Sequence, residues 1–298
     1  MPDTTSELLI DASLLKKIEG LQLVSRRLYT GGQTGSRKSR TKGAGMEFAD
    51  HRHYSPGDDF RNIDWNVYAR LDDLILKTFE TEQNLHVSIL FDCSESMAFG
   101  EPSKMQLAAS IAAAIAYISL VNEDGLTLSS IADTVRGEMS SSQQQLSPEQ
   151  VFDFCNTVEV GGRTYLDETL RAFGFHSQHP GLLFIISDFL FAGKLEDTLQ
   201  PLIYGGFDIC GIQILAKEEL NPIFAGEMDI VDSETDETIS ITVRDDTRKI
   251  YGDALDRFVR NTEAGLKMCH ANYVRATNDM SVERIVLGEL RSLGVIRE

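Results

Sequence analysis

The chain of 298 residues has little that would staple, anchor or energise it. Its four cysteines, Cys93, Cys155, Cys210 and Cys269, are scattered singly with no C-x-x-C pair. That excludes a disulfide framework and predicts a reducing compartment. No G-x-x-x-x-G-K-[ST] segment is present, so any energy for work comes from elsewhere. Met1–Glu7 is polar and acidic, without the basic and apolar regions of a signal peptide. Apolar runs are short: Leu107–Val121 is interrupted by Ser110, Tyr117 and Ser119, which suits a core helix better than a bilayer span. Bases are scarce, 28 against 46 acids, and the net charge of −18 argues against wholesale binding to nucleic acid or anionic membrane. These absences predict a soluble, cytoplasmic protein with no membrane span. A chain of this length buries a core without metal or disulfide help.

What is present centres on Phe91-Asp92-Cys93-Ser94-Glu95-Ser96. Leu85, Val87, Ile89 and Phe91 alternate along Asn84–Phe91, which predicts a largely buried strand that stops on a carboxylate. Ser103 then caps a long apolar helix, Lys104–Val121. In an open α/β sheet, such a turn from strand to helix is where ligands sit.

Upstream, Asp11 is expected to cap a helix over 12–28 whose stripe is Leu14, Leu15, Ile18 and Leu21. Residues 31–45 are rich in Gly, Ser and Thr and carry Arg37, Lys38, Arg40 and Lys42, with Arg26 and Arg27 just before. This basic arm reads as a solvated loop, with a phosphate or acidic-partner contact as its functional alternative. Residues 47–82 mix arginine, aspartate and aromatics, including Arg61, Asp64 and Trp65, which predicts a buried polar network. His51 and His53 share one face of a strand and could form half of a metal site. Leu74–Phe79 reads as a strand.

Beyond the long helix, strands are expected at 126–131, 182–186, 208–215 and 271–276. Helices are expected at 148–155, 165–173, 195–204, 246–268 and 282–293, with a polar loop at 140–145. The acidic stretch near 226–243 reads as a solvated hairpin around Ser233–Asp236. Strands alternating with helices imply a doubly wound, mostly parallel sheet. The expected division is an accessory region, 1–83, and an α/β domain, 84–298.

Three loops of that layout end in oxygen donors: Asp92-x-Ser94-x-Ser96, Thr164 after a diglycine, and Asp188 after Ser187. Hydroxyls and carboxylates without His or Cys suit Mg²⁺ or Mn²⁺. Neutral hydroxyls would leave most of the ion's charge uncompensated, so an open coordination position would attract an outside carboxylate. An enzymatic alternative makes Asp92 the nucleophile of a metal-dependent hydrolase or phosphatase. Ser94 then stands where the second, acidic aspartate is needed, and a hydroxyl is a poor general acid.

D-x-S-x-S with a later Thr and Asp resembles the metal-ion-dependent adhesion site of von Willebrand factor A domains. The segments S-P-G-D-D-x-R-x-I-D-W, Y-A-R and K-x-F-E-x-E, together with the strand into Asp92, resemble the bacterial domain-of-unknown-function family fifty-eight. The resemblance implies a Rossmann-like α/β domain and a metal set of Asp92, Ser94, Ser96, Thr164 and Asp188. It further implies a non-enzymatic adaptor docking an Asp or Glu of a protein partner through one Mg (or Mn) ion. A MoxR-type AAA+ ATPase is the implied partner. Phe189 follows Asp188 where many A domains have glycine.

Overall fold

The computed structural model describes residues 10–26, 47–55, 60, 63–80, 85–141, 144–177, 179–191, 193–222, 226–231, 238–242 and 245–298. Most of the basic arm, from Arg27 to Lys42, lies outside the described residues, as do Arg61 and the hairpin tip. Two units emerge, one of Met1–Gly31 with Leu85–Glu298 and one of Gly32–Asn84.

Helix α1 (Ala12–Ile18) is capped by Asp11, whose side chain accepts from the Ser13 N–H, and it buries Leu14 and Ile18. It stops ten residues short of the expected end, because Gly20 opposes helix and Leu21 and Leu23 are instead buried at alternate positions. Strand β1 (Gln22–Leu23) pairs antiparallel with the chain's last strand. The expected 1–83 region is therefore divided: its first helix and strand join the larger unit through these buried leucines and the strand pair.

In the smaller unit, β2 (Glu47–His53) pairs antiparallel with β3 (Ile75–Glu80). Between them α2 (Trp65–Leu71) starts at Asp64, whose carboxylate accepts from the N–H groups of Asn66 at 3.0 Å and Val67 at 3.3 Å. Asp64 is buried, but Trp65 and Phe60 are largely exposed, so the aromatic part of the expected buried network is not buried. Helix α2, which carries Trp65, buries none of its seven residues. His53 is exposed, with Nδ1 at 3.5 Å from Asp73, and no cluster of three His, Cys, Asp or Glu side chains occurs among the described residues.

The larger unit continues with β4 (His86–Asp92), α3 (Lys104–Val121), β5 (Gly125–Ile131), β6 (Val135–Ser140), α4 (Pro148–Thr157) and α5 (Leu166–His176). It goes on through β7 (Leu182–Ser187), α6 (Leu195–Tyr204), β8 (Asp208–Leu215), a short α7 (Lys217–Leu220) and a hairpin of β9 (Glu227–Val231) and β10 (Thr238–Thr242). Then come α8 (Asp245–Met268), β11 (Asn272–Thr277), a π-helical turn (Arg284–Leu290) and β12 (Ile296–Arg297). The central sheet has the order β11-β8-β7-β4-β5-β6 and is parallel except for β6, which runs antiparallel to β5.

This is the expected mixed α/β architecture with a doubly wound, mostly parallel sheet. Chain order reverses between β4 and β7, so the crevice at their C-terminal ends is the switch point. β4 and β7 are covered on both faces, which accounts for their near-continuous apolar runs. Val87, Ile89 and Phe91 point into one core layer with α3, while Leu90 joins Leu183 and Ile185 in the other. Helix α3 is long and apolar enough to cross a membrane, yet it is 78% buried inside the unit. Strand β6 has no counterpart among the expected elements: it is polar, largely exposed and interrupted by Gly137, so its sequence carries no strand periodicity.

Candidate functional site

Asp92 ends β4, and the chain turns at once into a 3₁₀ segment, Glu95–Ala98, before Ser103 caps α3 through the Gln106 N–H. The turn is set by Asp92 itself, whose Oδ1 accepts from the Ser94 N–H at 2.9 Å. Its Oδ2 accepts from the Ser187 hydroxyl at 2.6 Å, a bond across the switch point from β4 to β7. Ser187 Oγ in turn accepts from the Phe189 N–H at 2.9 Å. Phe189 adopts φ 61°, a left-handed turn at a non-glycine residue. The Ser94 and Ser96 hydroxyls lie 3.2 Å apart on the same loop.

The diglycine loop is fastened to this one by two backbone bonds. Gly161 N–H donates to the Cys93 carbonyl at 2.9 Å, and Glu95 N–H donates to the Gly162 carbonyl at 3.0 Å. Thr164, two residues on, is half-buried at the start of the turn into α5. Gly162 has φ +84°, and a Cβ there would lie 2.3 Å from Arg136 Nη2. Gly162→Ala is accordingly expected to cost about 1–2 kcal/mol, chiefly from the left-handed backbone, because Arg136 can swing aside. A urea-melt midpoint unchanged from wild type would refute that.

Asp188 follows β7 and is fully buried, but its carboxylate is engaged differently from that of Asp92. Oδ1 accepts from the Leu190 N–H at 3.0 Å, and Oδ2 accepts from Lys104 Nζ at 2.8 Å. Lys104 is itself fully buried and also reaches Glu219 Oε1 at 2.8 Å. Burial works to lower the Lys104 pKa, but the charges of Asp188 and Glu219 prevail and hold it above its ordinary value.

Asp92 has no such partner among the described residues. Burial pushes its carboxyl up to about 6, the charge of Asp188 adds to the rise, and the bonds from Ser187 and Ser94 offset only part of it. Of two adjacent buried carboxylates, one is neutralised and the other lacks a cation. Cys93, next in sequence, is buried with its thiol pushed up to about 11 by burial and by Asp92, so it is inert as a nucleophile at neutral pH.

The structure thus brings Asp92, Ser94 and Ser96 together on one loop, bonds the loop leading to Thr164 against it, and places Asp188 on the neighbouring strand end. The sequence did not reveal Lys104 or Glu219. One signal was available: a lysine as the first residue of a helix faces the positive end of the macrodipole and calls for an anionic partner.

The profile of the family described as "Protein of unknown function DUF58" matches residues 50–259. A similar protein is the "Uncharacterized protein Rv1480" of Mycobacterium tuberculosis, 26% identical over 232 residues that span 76% of this chain and 72% of the relative. Among solved structures, the conserved hypothetical protein BatB from Bacteroides thetaiotaomicron matches with a TM-score of 0.41 at 14% identity, covering 71% of this chain and 99% of that one. A von Willebrand factor type A protein from Catenulispora acidiphila matches with a TM-score of 0.32 at 13% identity, over 48% of this chain and 36% of that one.

Proposed function

The chain belongs to the DUF58 family of proteins of unknown function, and from that premise we propose that it is a non-enzymatic protein-interaction module built around a divalent-cation site. The observation that carries this reading is the fully buried Asp92, without a cation partner among the described residues, beside two serine hydroxyls 3.2 Å apart at the sheet's switch point. A buried carboxylate without a counter-charge is costly, and a bound cation would remove that cost. The residues that would hold it are Asp92, Ser94 and Ser96, with Thr164 on the facing loop, while Asp188 lies on the neighbouring strand end with Lys104 on its Oδ2. An all-oxygen donor set suits Mg²⁺ or Mn²⁺ over softer metals.

When bound, the ion would supply a positive coordination position for an Asp or Glu side chain of a protein partner. The chain's own part is to hold that position rigid, through the Ser187 bond to Asp92 and the backbone bonds between the two loops. Ser96 and Thr164, the half-buried donors, mark the side from which a partner would approach. On the family resemblance alone we assign the partner as a MoxR-type AAA+ ATPase in a chaperone-like assembly.

Thermal unfolding of wild type and Asp92→Ala in EDTA, Mg²⁺ and Mn²⁺ tests the site. At 100 times its dissociation constant, an ion that binds only the native state adds about 2.7 kcal/mol. Stabilisation of wild type alone is the expected result. Equal response of both proteins, or of neither, would remove the ion from the function. Equal capture of partners by the two proteins in a Mg²⁺-containing pull-down would remove the metal-mediated contact.

A further inference from the structure

We infer that Asp188 is not a ligand of the cation but the anchor of Lys104, and that Lys104 thereby leaves a single carboxylate, Asp92, facing the ion. The inference rests on the cation reading of the Asp92 loop and concerns how that site is charged. Both oxygens of each aspartate accept hydrogen bonds, but among the described residues only Asp188 meets a cation: its Oδ1 accepts from the Leu190 N–H at 3.0 Å and its Oδ2 from Lys104 Nζ at 2.8 Å, whereas Asp92 accepts only from Ser94 and Ser187. The Asp188 main chain is held as well: its carbonyl accepts from Gln213 Nε2 at 3.1 Å, and Gln213 Oε1 accepts from Tyr273 OH at 2.7 Å.

On its other side Lys104 pairs with Glu219 at 2.8 Å, and the second Glu219 oxygen accepts from the Ala216 N–H at 2.7 Å. The ammonium is therefore clamped between two acids that are themselves fixed by backbone groups, and it has no exposed surface through which to leave. Turning Asp188 onto a metal would strip a buried lysine of half its counter-charge, which is costly in a low-dielectric site.

The consequence is a site with one anionic ligand and otherwise neutral hydroxyls. Two carboxylates would nearly neutralise a divalent ion, whereas one leaves it a net positive charge. Such an ion is bound weakly by the protein alone and tightly once an external carboxylate joins it. Lys104 is in this sense a positioning residue: it touches neither ion nor partner, but by occupying Asp188 it reserves the second carboxylate position for the partner.

Mn²⁺ titration followed by loss of the free-ion EPR signal, with and without acetate as the carboxylate probe, tests this on wild type, Asp188→Asn, Lys104→Met and the double variant. Asp188→Asn is expected to bind Mn²⁺ within about threefold of wild type, with acetate still strengthening binding. Lys104→Met, with the second carboxylate released, is expected to bind Mn²⁺ at least about tenfold more tightly and to lose the acetate effect, the scale of one added charge pair. Lys104→Met/Asp188→Asn should return to the wild-type value.

Loss of a nearby positive charge would by itself tighten Mn²⁺ binding but leave the acetate effect in place, so it is the loss of that effect in Lys104→Met that marks Asp188 as released. The inference is overturned if Asp188→Asn keeps its native circular dichroism but loses Mn²⁺. It is equally overturned if the folded Lys104→Met protein binds no more tightly than the double variant. Should Lys104→Met not fold, Asp188→Asn decides alone. Wild type that binds no Mn²⁺ even with acetate overturns the cation reading itself, a result distinct from either of these.

Discussion

Lys104→Met is expected to lower the free energy of unfolding by about 3–5 kcal/mol, the range for removing one partner from a buried ion pair. The loss does not come from the lysine's attraction alone. Lys104 and Asp188 are both fully buried, and Glu219 is 19% exposed at its side chain, so methionine leaves one carboxylate stranded in the interior and a second poorly solvated. Methionine fills nearly the same volume, so cavity formation contributes little. In a chain of this size the melting temperature should fall by roughly 10 °C.

The paired variants separate charge from shape. Lys104→Met/Asp188→Asn should regain most of the lost stability, because the stranded charge disappears with its partner. Urea unfolding of the four proteins of this cycle, read at constant m-value, gives the coupling energy directly. If the double variant is no more stable than Lys104→Met, the ion pair does not account for the loss. The pH dependence follows from the raised Lys104 pKa: the stabilisation is complete below the ordinary value of 10.5 and fades as pH climbs above it. At neutral pH the effect of the substitution is therefore at its full size.

That lysine also marks the limit of what the sequence discloses. Strands β4, β7 and β8 were legible because burial on both faces leaves a largely apolar record, and α3 because Ser103 caps a long run that few polar residues interrupt. Their alternation with helices fixed the parallel sheet, and with it the convergence of Asp92 and Asp188. Polar pairings leave no such record. Glu219 lies 115 positions from Lys104, and only the order of β7 and β8 around the switch point brings them together. Edge elements were hidden for a related reason: β6 is half solvated, so its residues answer to water rather than to a core with a period. Trp65 misled in the opposite direction, its apolar bulk suggesting burial on a helix that buries none of its residues. The candidate donors were visible as residue types, but the difference between Asp92 and Asp188 was not, because it lies in which neighbour each carboxylate meets.

Asp92→Asn should invert the behaviour of Lys104→Met. Asp92 is as buried as Asp188, but its carboxyl is pushed from 3.8 up to about 6, first by burial and then by the Asp188 charge. A raised carboxyl pKa means that the folded state holds its proton more tightly than the unfolded state does. Stability contributed by the neutral form is therefore lost as pH rises from about 4 to about 6, and the penalty is constant above that. A carboxyl held at about 6 penalises the ionised form by about 3 kcal/mol, which the isosteric amide does not incur. Asparagine keeps one oxygen acceptor for Ser94 or Ser187 but gives up the other, so a net gain of about 1–3 kcal/mol is expected at pH 8 in EDTA. Near pH 4 the gain disappears, leaving the variant below wild type by no more than about the one lost hydrogen bond. Urea melts at pH 4.5, 6 and 8 check this, and an Asp92→Asn protein less stable than wild type at pH 8 would sink it. Adding Mg²⁺ at pH 8 should then close or reverse the gap by stabilising wild type alone. A residue whose ionised form weakens the fold unless a cation arrives is what a binding site requires: the same absent counter-charge that costs stability is what gives the ion a reason to bind.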